Sequence, residues 1–336
     1  MVKQACKICP LVFFLGVIVS MSVSLAGAEQ NDSIIIDMLA GEPVPQEMML
    51  DDLASVRIVY LGEYHTIKRH HKLQLDTLTG IADRKPNIAL GMEMFSADQQ
   101  EILDWWQSGT EDVAALIRKL GRKHWTNLQD YAAVLYFARN AKIPIIGLNA
   151  PDDFVRKVAR EGLSGLTDEQ RRILPKGFDK IDPAYDKLMR IRLKVHRAFH
   201  EKSLDNVVLA QAIRDAIMAQ RVISFFESER GKDAGMVVIA GSGHINYGFG
   251  IPERVQEHLR YNERIVLASE SGELKLSEEE KKQAMPVEIT HEDLKFIQRP
   301  IADYLHIIPL RTETPEPEAE ETSQEAFLLQ NTKTLQ

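Results

Sequence analysis

Residues 56–65 read VRIVYLGEYH, and this stretch decides the fold. It is a short, β-branched run that ends in a glycine followed by Glu63, Tyr64 and His65. Similar apolar runs occur at residues 87–92, 143–148, 236–240 and 264–268. Short runs of this kind are typical of strands that are buried on both faces, as they are in a parallel sheet covered by helices.

Segments with a helical period separate these runs, at residues 67–84, 97–107, 111–119, 129–141, 151–161, 185–229 and 252–261. We therefore predict an α/β fold with a mostly parallel central sheet and helices on both faces. Residues from roughly 160 to 235 contain no strand pattern, which predicts a helical insertion in the sheet.

The first residues have the pattern of a secretory signal peptide. Lys3 and Lys7 precede an apolar run at residues 11–25, and small residues follow at 26–28. We predict a cleaved signal at residues 1–28, a single α/β domain at 29–311 and a disordered acidic tail at 312–336. An uncleaved anchor is the alternative, but the apolar run is shorter than the ~20 residues that a membrane span needs.

This prediction places the mature chain in the periplasm or outside the cell. No cysteine follows residues 25–27, where a lipoprotein would carry its acyl anchor. Cys6 and Cys9 both lie in the predicted signal, so the mature chain would have no disulfide and no thiolate metal site. The chain has a formal charge of −8, and loss of Lys3 and Lys7 makes it more acidic, which disfavours a nucleic-acid partner.

Four polar residues follow the predicted strands at the edge where parallel sheets bind ligands. Residues 62–65 and 241–244 share a Gly-x-x-His pattern, which suggests a duplicated βα unit with His65 and His244 on one edge and Glu63 and Glu93 between them. Such a set can hold a divalent metal or perform acid–base chemistry. The alternative is that Glu63 and His65 cap the next helix and bond to each other. The sequence has neither a nucleoside-triphosphate loop nor the serine motif of the α/β-hydrolases.

Other residues are candidates for iron binding. Tyr64 and Tyr247 stand beside the two histidines, and a phenolate is a ligand for ferric iron, including haem iron. Packing is the alternative role for each tyrosine. His196 and His200 have the i, i+4 spacing that puts two imidazoles on one helix face. The tryptophans at positions 105, 106 and 125 are predicted to pack in the core or in a lid rather than to stack on a cofactor.

The blocks LGEYH (61–65), GMEMF (91–95), IPIIGLNAP (143–151), DAIMA (215–219), AGSGH (240–244) and YGFGIPER (247–254) occur in this order along the chain. In these blocks the chain resembles the ChaN-like family of exported haem-binding, iron-uptake proteins, within the Tiki/TraB superfamily. The resemblance covers residues from roughly 50 to 270. Many members look like lipoproteins, whereas this chain shows no lipobox.

The resemblance implies an exported protein that binds haem, handles haem or iron, forms a homodimer around haem and meets transport components of the envelope. It implies a haem pocket of Glu63, Tyr64, His65, Glu93, His244, Tyr247 and Arg254. In that pocket the histidines and Arg254 would hold the propionates, and the iron ligand would be Tyr64, Tyr247, His196 or His200. The wider superfamily implies an alternative, a metal-dependent hydrolase of the protease or esterase type. In that alternative Glu63, His65, Glu93 and His244 would bind an ion such as manganese or zinc and activate its water.

Overall fold

The structure is a computed structural model and describes residues 33–193, 201–271 and 290–309. The predicted signal peptide at 1–28 and the predicted tail at 312–336 lie outside the described residues. His196 and His200, two of the candidate iron ligands, lie outside them as well.

The described strands form one eight-stranded sheet. Their bounds are β1 Ile34–Asp37, β2 Glu42–Pro43, β3 Ile58–Glu63, β4 Ile88–Ser96, β5 Ile145–Asn149, β6 Gly235–Gly241, β7 Glu263–Ser271 and β8 Tyr304–Pro309. The order across the sheet is β2-β1-β8-β7-β3-β6-β4-β5. The six strands from β8 to β5 pair in parallel, and β1 pairs antiparallel with both β8 and β2.

The helices of the described residues are α1 Gln46–Ser55, α2 Lys68–Arg84, α3 Gln100–Ser108, α4 Val113–Leu120, α5 Ala132–Asn140, α6 Asp152–Glu161, α7 Asp168–Arg172, α8 Pro183–Leu193, α9 Glu201–Glu227, α10 Ile251–Leu259 and α11 His291–Leu294. The predicted α/β class, with its mostly parallel sheet, is confirmed. Between residue 160 and the start of β6, the part that the structure describes contains helices and turns but no strand, as the predicted insertion requires.

Helices cover both faces of the sheet because successive strand residues point to opposite sides. In β3, Val59 and Leu61 pack into a core with α1, α2 and α5. Ile58 and Tyr60 pack on the other face, against residues of α9 and α10. A strand buried on both faces needs apolar residues at every position, which explains why residues 58–61 are continuously apolar.

Three strands are not predicted by the sequence patterns, namely β1, β2 and β8. They form the edge of the sheet beyond β7, and β1 pairs with a strand that begins some 270 residues later in the chain. Both β1 and β2 are very short, at four and two residues. Their stability therefore depends on a long-range pairing that local sequence patterns do not report.

At the other edge of the sheet, side chains of α3 form hydrogen bonds with backbone groups of β5 and of the residue Ile143 that precedes it. The Gln107 amide donates to the Ile143 carbonyl at 2.5 Å and accepts from the Ile145 N–H at 3.1 Å. Gln100 bonds in the same two-way fashion to Ile145 and Gly147, at 2.9 and 2.8 Å. These contacts occupy backbone groups that would otherwise be available to another strand. Among the described helices, none has both the length and the apolar character that a membrane crossing requires.

Candidate functional site

The candidate site lies where β3, β4 and β6 end. The strands β3 and β6 are neighbours, and Gly62 and Glu63 pair with Ala240 and Gly241. Because β4 pairs with the other side of β6, Glu93 reaches the same edge of the sheet. The structure therefore brings the predicted glutamates and histidines, at positions 63, 65, 93 and 244, together.

Glu63 is the centre of the first half of the site. Its buried carboxylate accepts hydrogen bonds from His65 Nδ1 at 2.8 Å, Gln74 Nε2 at 2.7 Å and the Tyr131 hydroxyl. His71 Nε2 lies 3.2 Å from the same carboxylate. Burial alone would raise the pKa of Glu63, but the contacts of His65, His71 and Tyr131 with the carboxylate outweigh it and hold the pKa at about 2. The side chain is therefore a fixed anion at neutral pH.

Glu93 is the centre of the second half. One carboxylate oxygen accepts from Arg214 NH2 at 2.6 Å and lies 3.2 Å from His244 Nε2, and the other accepts from the Gly241 N–H at 2.7 Å. Burial would raise the pKa of this carboxyl, yet the charges of His244 and Arg214 hold it well below its ordinary value. A second buried anion thus lies beside the first.

His244 links this half of the site to the long helix α9. Its Nδ1 lies 2.5 Å from Asp215 Oδ1, and the Tyr185 hydroxyl donates to the other Asp215 oxygen at 2.6 Å. Burial lowers the pKa of the imidazole, but the charges of Glu93 and Asp215 overcome it and raise the pKa to about 9. His244 is therefore an imidazolium at neutral pH, held between two carboxylates.

His65 is the more open of the two histidines and joins the two halves. Its Nε2 lies 3.7 Å from a Glu93 oxygen, and the contacts with Glu63 and Glu93 raise its pKa although burial opposes this. Gly241 makes room for the ring, because a Cβ there would lie 2.7 Å from His65 Nε2. The Asn127 side chain donates to the His65 carbonyl and fixes the backbone.

A cleft of about 520 Å³ opens beside these residues. It is lined by residues of three segments, 93–99 at the end of β4, 122–126 before α5, and 149–156 at the start of α6. Its wall includes Trp125, whose ring meets the His65 ring edge to face at 4.9 Å between centroids. Trp125, a residue of the cleft wall, thus contacts the histidine of the first motif.

Comparison with known proteins identifies the family. Residues 49–255 match the family model described as haem-binding uptake proteins of the Tiki superfamily, ChaN. The chain belongs to this family. The resemblance seen in the sequence blocks is thereby confirmed, over more than half of the chain.

One solved structure and one curated protein are similar to this chain. The structure of ChaN of Campylobacter jejuni, described as showing cofacial heme binding, has a TM-score of 0.58 at 20% identity, and the match covers 98% of that protein and 83% of this chain. An Arabidopsis thaliana protein, RETICULATA-RELATED 5, chloroplastic, is 24% identical over 248 residues, or 68% of this chain. The chain spans about a third of the length of that curated relative, 33%.

A more distant structural likeness involves a hydrolase. A mutant of the erythromycin esterase EreC in its open conformation has a TM-score of 0.43 at 13% identity, and the match covers 67% of this chain and 73% of that protein. A likeness at this level says nothing about the function of the chain.

The two candidate tyrosines of this ChaN-family chain lie in different surroundings. Tyr64 follows Glu63 directly, is 56% exposed, and donates its backbone N–H to His70 Nδ1 at 3.0 Å. Tyr247 is half-buried and lines a second cavity, of about 480 Å³, with residues that include Arg299 and Glu263. Its φ of 61° is in the left-handed region, which is uncommon for a residue with a side chain.

Arg254 makes its contacts with the backbone of the chain itself. Its guanidinium donates to the carbonyls of Gly177, Phe178 and Lys180 at 3.1–3.2 Å. Two of its nitrogens, NH1 and NH2, form these three bonds. Arg254 therefore ties the segment before α8 to α10.

Several residues of the site are not found by sequence reasoning. Arg214 and Asp215 come from α9, within the helical insertion, and Tyr131 comes from the short 3-10 helix Leu128–Tyr131. Asp215 could be noticed in the sequence, because it is the first residue of the block at 215–219, but the block does not indicate what Asp215 does. Tyr131 could not be noticed, because a single tyrosine in a helical segment looks the same in the sequence as a packing residue.

A metal centre receives no support from the geometry. Within residues 33–193, 201–271 and 290–309, no group of three or more His, Cys, Asp or Glu side chains is arranged so that it could hold a metal ion. The carboxylates of Glu63 and Glu93 are instead bonded to histidine, arginine, glutamine, tyrosine and backbone donors. Manganese or zinc in this pocket is therefore not supported.

Proposed function

We propose that this chain binds haem and takes part in the uptake or handling of haem or iron. The observation that carries this proposal is its membership of the haem-binding ChaN family over residues 49–255. The cleft beside the two-histidine edge is the site we assign to the haem.

The cleft fits a flat amphipathic ligand with carboxylate groups. Its volume of about 520 Å³ is in the range of roughly 300–1,000 Å³ that small-molecule sites occupy. Its lining includes the apolar residues Met94, Trp125 and Pro151 and the basic residues Arg122 and Arg156, and the Arg156 guanidinium pairs with Asp152 and Asp153 of the same lining at 2.9 and 3.0 Å. A guanidinium recognises carboxylates through paired, charge-assisted hydrogen bonds, so Arg122 suits a propionate of haem.

His65 is the site histidine that a propionate can approach. Its side chain is 28% exposed, whereas that of His244 is 5% exposed and has a carboxylate at each ring nitrogen. We assign His244 to the support of the site, through Glu93 and Asp215. Because the Arg254 guanidinium already donates to three backbone carbonyls, we assign it to the support of the fold as well.

Tyr64 is the iron ligand that we favour among the four candidates. Tyr64 is 56% exposed and stands between Glu63 and His65 in the sequence, at the end of β3, whereas Tyr247 lines the second cavity. A tyrosine oxygen is an established kind of axial ligand for haem iron. His196 and His200 stay predictions from the sequence.

A haemin titration of the mature chain, residues 29–336, tests the proposal. We expect a saturable, shifted Soret band. Tyr64→Phe should change the position of that band, and the matched variant Tyr247→Phe should leave it unchanged. A flat titration of the wild type would contradict haem binding. A band altered only by Tyr247→Phe would contradict the choice of ligand.

Hydrolysis is the second candidate function. The observation that favours it is the pair of carboxylate–imidazole contacts, Glu63 with His65 and Asp215 with His244, on either side of Glu93. Such contacts orient an imidazole and set its protonation for general acid–base chemistry. Turnover of ester and peptide substrates, with and without added manganese or zinc, tests it. Activity that survives in Glu93→Gln would contradict a role for this cluster.

Export and assembly complete the proposal. We propose that residues 1–28 are removed on export to the periplasm or beyond, and that two chains enclose the haem. Mass measurement of the protein recovered from the envelope tests the first point, and light scattering with and without haemin tests the second. An intact N-terminus, or a mass that stays monomeric on saturation with haemin, would contradict these points. Contacts with envelope transport components stay a prediction.

A further inference from the structure

Trp125 occupies a defined place between the cleft and the site. Its carbonyl accepts from the Leu128 N–H at 3.1 Å, and the neighbouring Asn127 side chain is bonded to the His65 carbonyl. The indole meets the His65 ring at an interplanar angle of 68°. The indole is thus held by its backbone and by His65 while it forms part of the cleft wall.

The chain has two other tryptophans, and both are engaged elsewhere. Trp106 is fully buried, and its indole N–H donates to the Asp112 carbonyl at 3.0 Å. Trp105, on α3, has the Lys119 ammonium 4.5 Å from its ring centre. Trp125 is the one of the three that lines the cleft. Packing, the role predicted for all three, describes Trp106 fully but accounts for only part of the position of Trp125.

We propose that the porphyrin ring packs against Trp125, and that the cleft binds a flat anionic tetrapyrrole whether or not it carries iron. This inference rests on the proposed haem-binding function. Aromatic rings attract each other in offset-stacked or edge-to-face geometry, and the porphyrin face has the same shape with or without its metal. The carboxylate that Arg122 would meet is also common to both forms. Contacts with the porphyrin ring and its carboxylates therefore define the class of ligand, and a bond from the protein to the iron would strengthen the binding of haem.

The test uses haemin and metal-free protoporphyrin IX as probes of the full mature chain. Titrations follow tryptophan emission together with the absorbance of each probe. Both probes should bind the wild type and quench its emission. Trp125→Ala should weaken both probes by about tenfold, the equivalent of one aromatic contact. Trp125→Phe, which keeps a ring, should weaken them less.

The control is Trp105→Phe, which removes a partly exposed indole away from the cleft. It should leave both affinities unchanged and leave the emission of Trp125 fully quenchable. Circular dichroism shows whether each variant is folded. If Trp125→Ala is not folded, the affinities of Trp125→Phe provide the test.

Each outcome decides between the inference and the function on which it rests. Haemin binding with an unchanged affinity in both Trp125 variants overturns the role of Trp125. Haemin binding without any binding of protoporphyrin IX overturns the ligand class. A wild type that binds neither probe overturns the proposed function itself, and the inference with it.

Discussion

The two Gly-x-x-His endings have the same spacing and lie on neighbouring strands, yet their histidines differ. His65 is 28% exposed and has one carboxylate at hydrogen-bond distance, Glu63, two residues away in its own segment. His244 is 5% exposed and lies between Glu93 of another strand and Asp215 of a helix. A repeated pattern thus gives one open and one enclosed imidazole.

The difference comes from what covers each strand end. Tyr185 and Asp215, from the helical insertion, enclose His244. His65 is covered by Trp125 and Asn127, from a loop that leaves the cleft open. Spacing along the chain therefore decides where a motif residue lies, whereas the covering element decides its exposure and its charge.

The largest effect should come from removing each histidine in turn. His244→Ala leaves Asp215 without its buried cationic partner, whereas Glu93 keeps Arg214 and the Gly241 N–H, and we expect a loss of about 3 kcal/mol in the free energy of unfolding. His65→Ala leaves Glu63 bonded to Gln74 and Tyr131, and should cost about 1 kcal/mol. Urea unfolding measures both losses.

The exposed histidine of α10 provides the control for these two variants. His258→Ala should change stability by roughly 0.5 kcal/mol or less, because its contact with Glu227 lies at the surface. Equal costs for His65→Ala and His244→Ala would remove the distinction between an open and an enclosed half.

The pH dependence of stability should separate the two halves next. The pKa of His244 is raised from 6.5 to about 9, so its contribution is complete below about pH 6.5 and is lost as the pH rises through 9. The pKa of Glu63 is lowered from 4.5 to about 2, so its contribution is complete above pH 4.5 and is lost as the pH falls towards 2. Stability profiles of the wild type, His244→Gln and Glu63→Gln measure these windows.

Each variant's stability profile must be compared with that of the wild type, because other buried groups also titrate. The pKa values of His70 and His306 are lowered to about 4 by burial, and burial raises the pKa of Glu263 to about 8. The alkaline loss should shrink most in His244→Gln and the acid loss most in Glu63→Gln; smaller changes on the other limb follow because Glu63 raises the pKa of His65 and His244 lowers that of Glu93. A His244→Gln profile parallel to the wild type above pH 7 would contradict the buried imidazolium.

The smallest difference in stability between the two halves should come from alanine substitution of the two motif glycines. A Cβ at Gly62 would overlap Leu267 and lie 2.7 Å from Ile245 Cδ1, both in the core, so Gly62→Ala should cost about 1–3 kcal/mol. A Cβ at Gly241 would meet the half-open His65 ring, which can move into the cleft. Gly241→Ala should therefore cost less than about 1 kcal/mol while shifting the His65 imidazole resonances. Unchanged His65 resonances would contradict the close approach of Gly241 and His65.

The sequence patterns predicted the central strands of the sheet better than its edge strands β1, β2 and β8. The apolar runs that form β3 to β7 are buried on both faces, so their composition alone indicates strands. The edge strands β1, β2 and β8 depend on pairing between the two ends of the domain, which no local pattern reports.

The same contrast holds within the candidate site. The glutamates and histidines at positions 63, 65, 93 and 244 can be found from the sequence because glycines mark the strand ends. Asp215 and Tyr131 reach the site from helical segments, and Trp125 reaches it from a loop. Tertiary contacts alone bring these three residues to the site, so the spacing of motifs along the chain does not predict them.

The central claim is that haem binds at the open half, against the cleft, while the enclosed half supports it. The most direct test is the crystal structure of the mature chain saturated with haemin. We predict a porphyrin between segments 93–99, 122–126 and 149–156, with its face on Trp125 and the contacts of His244 with Glu93 and Asp215 unchanged. A porphyrin in the cavity lined by Tyr247, or one that displaces Asp215 from His244, would contradict this claim.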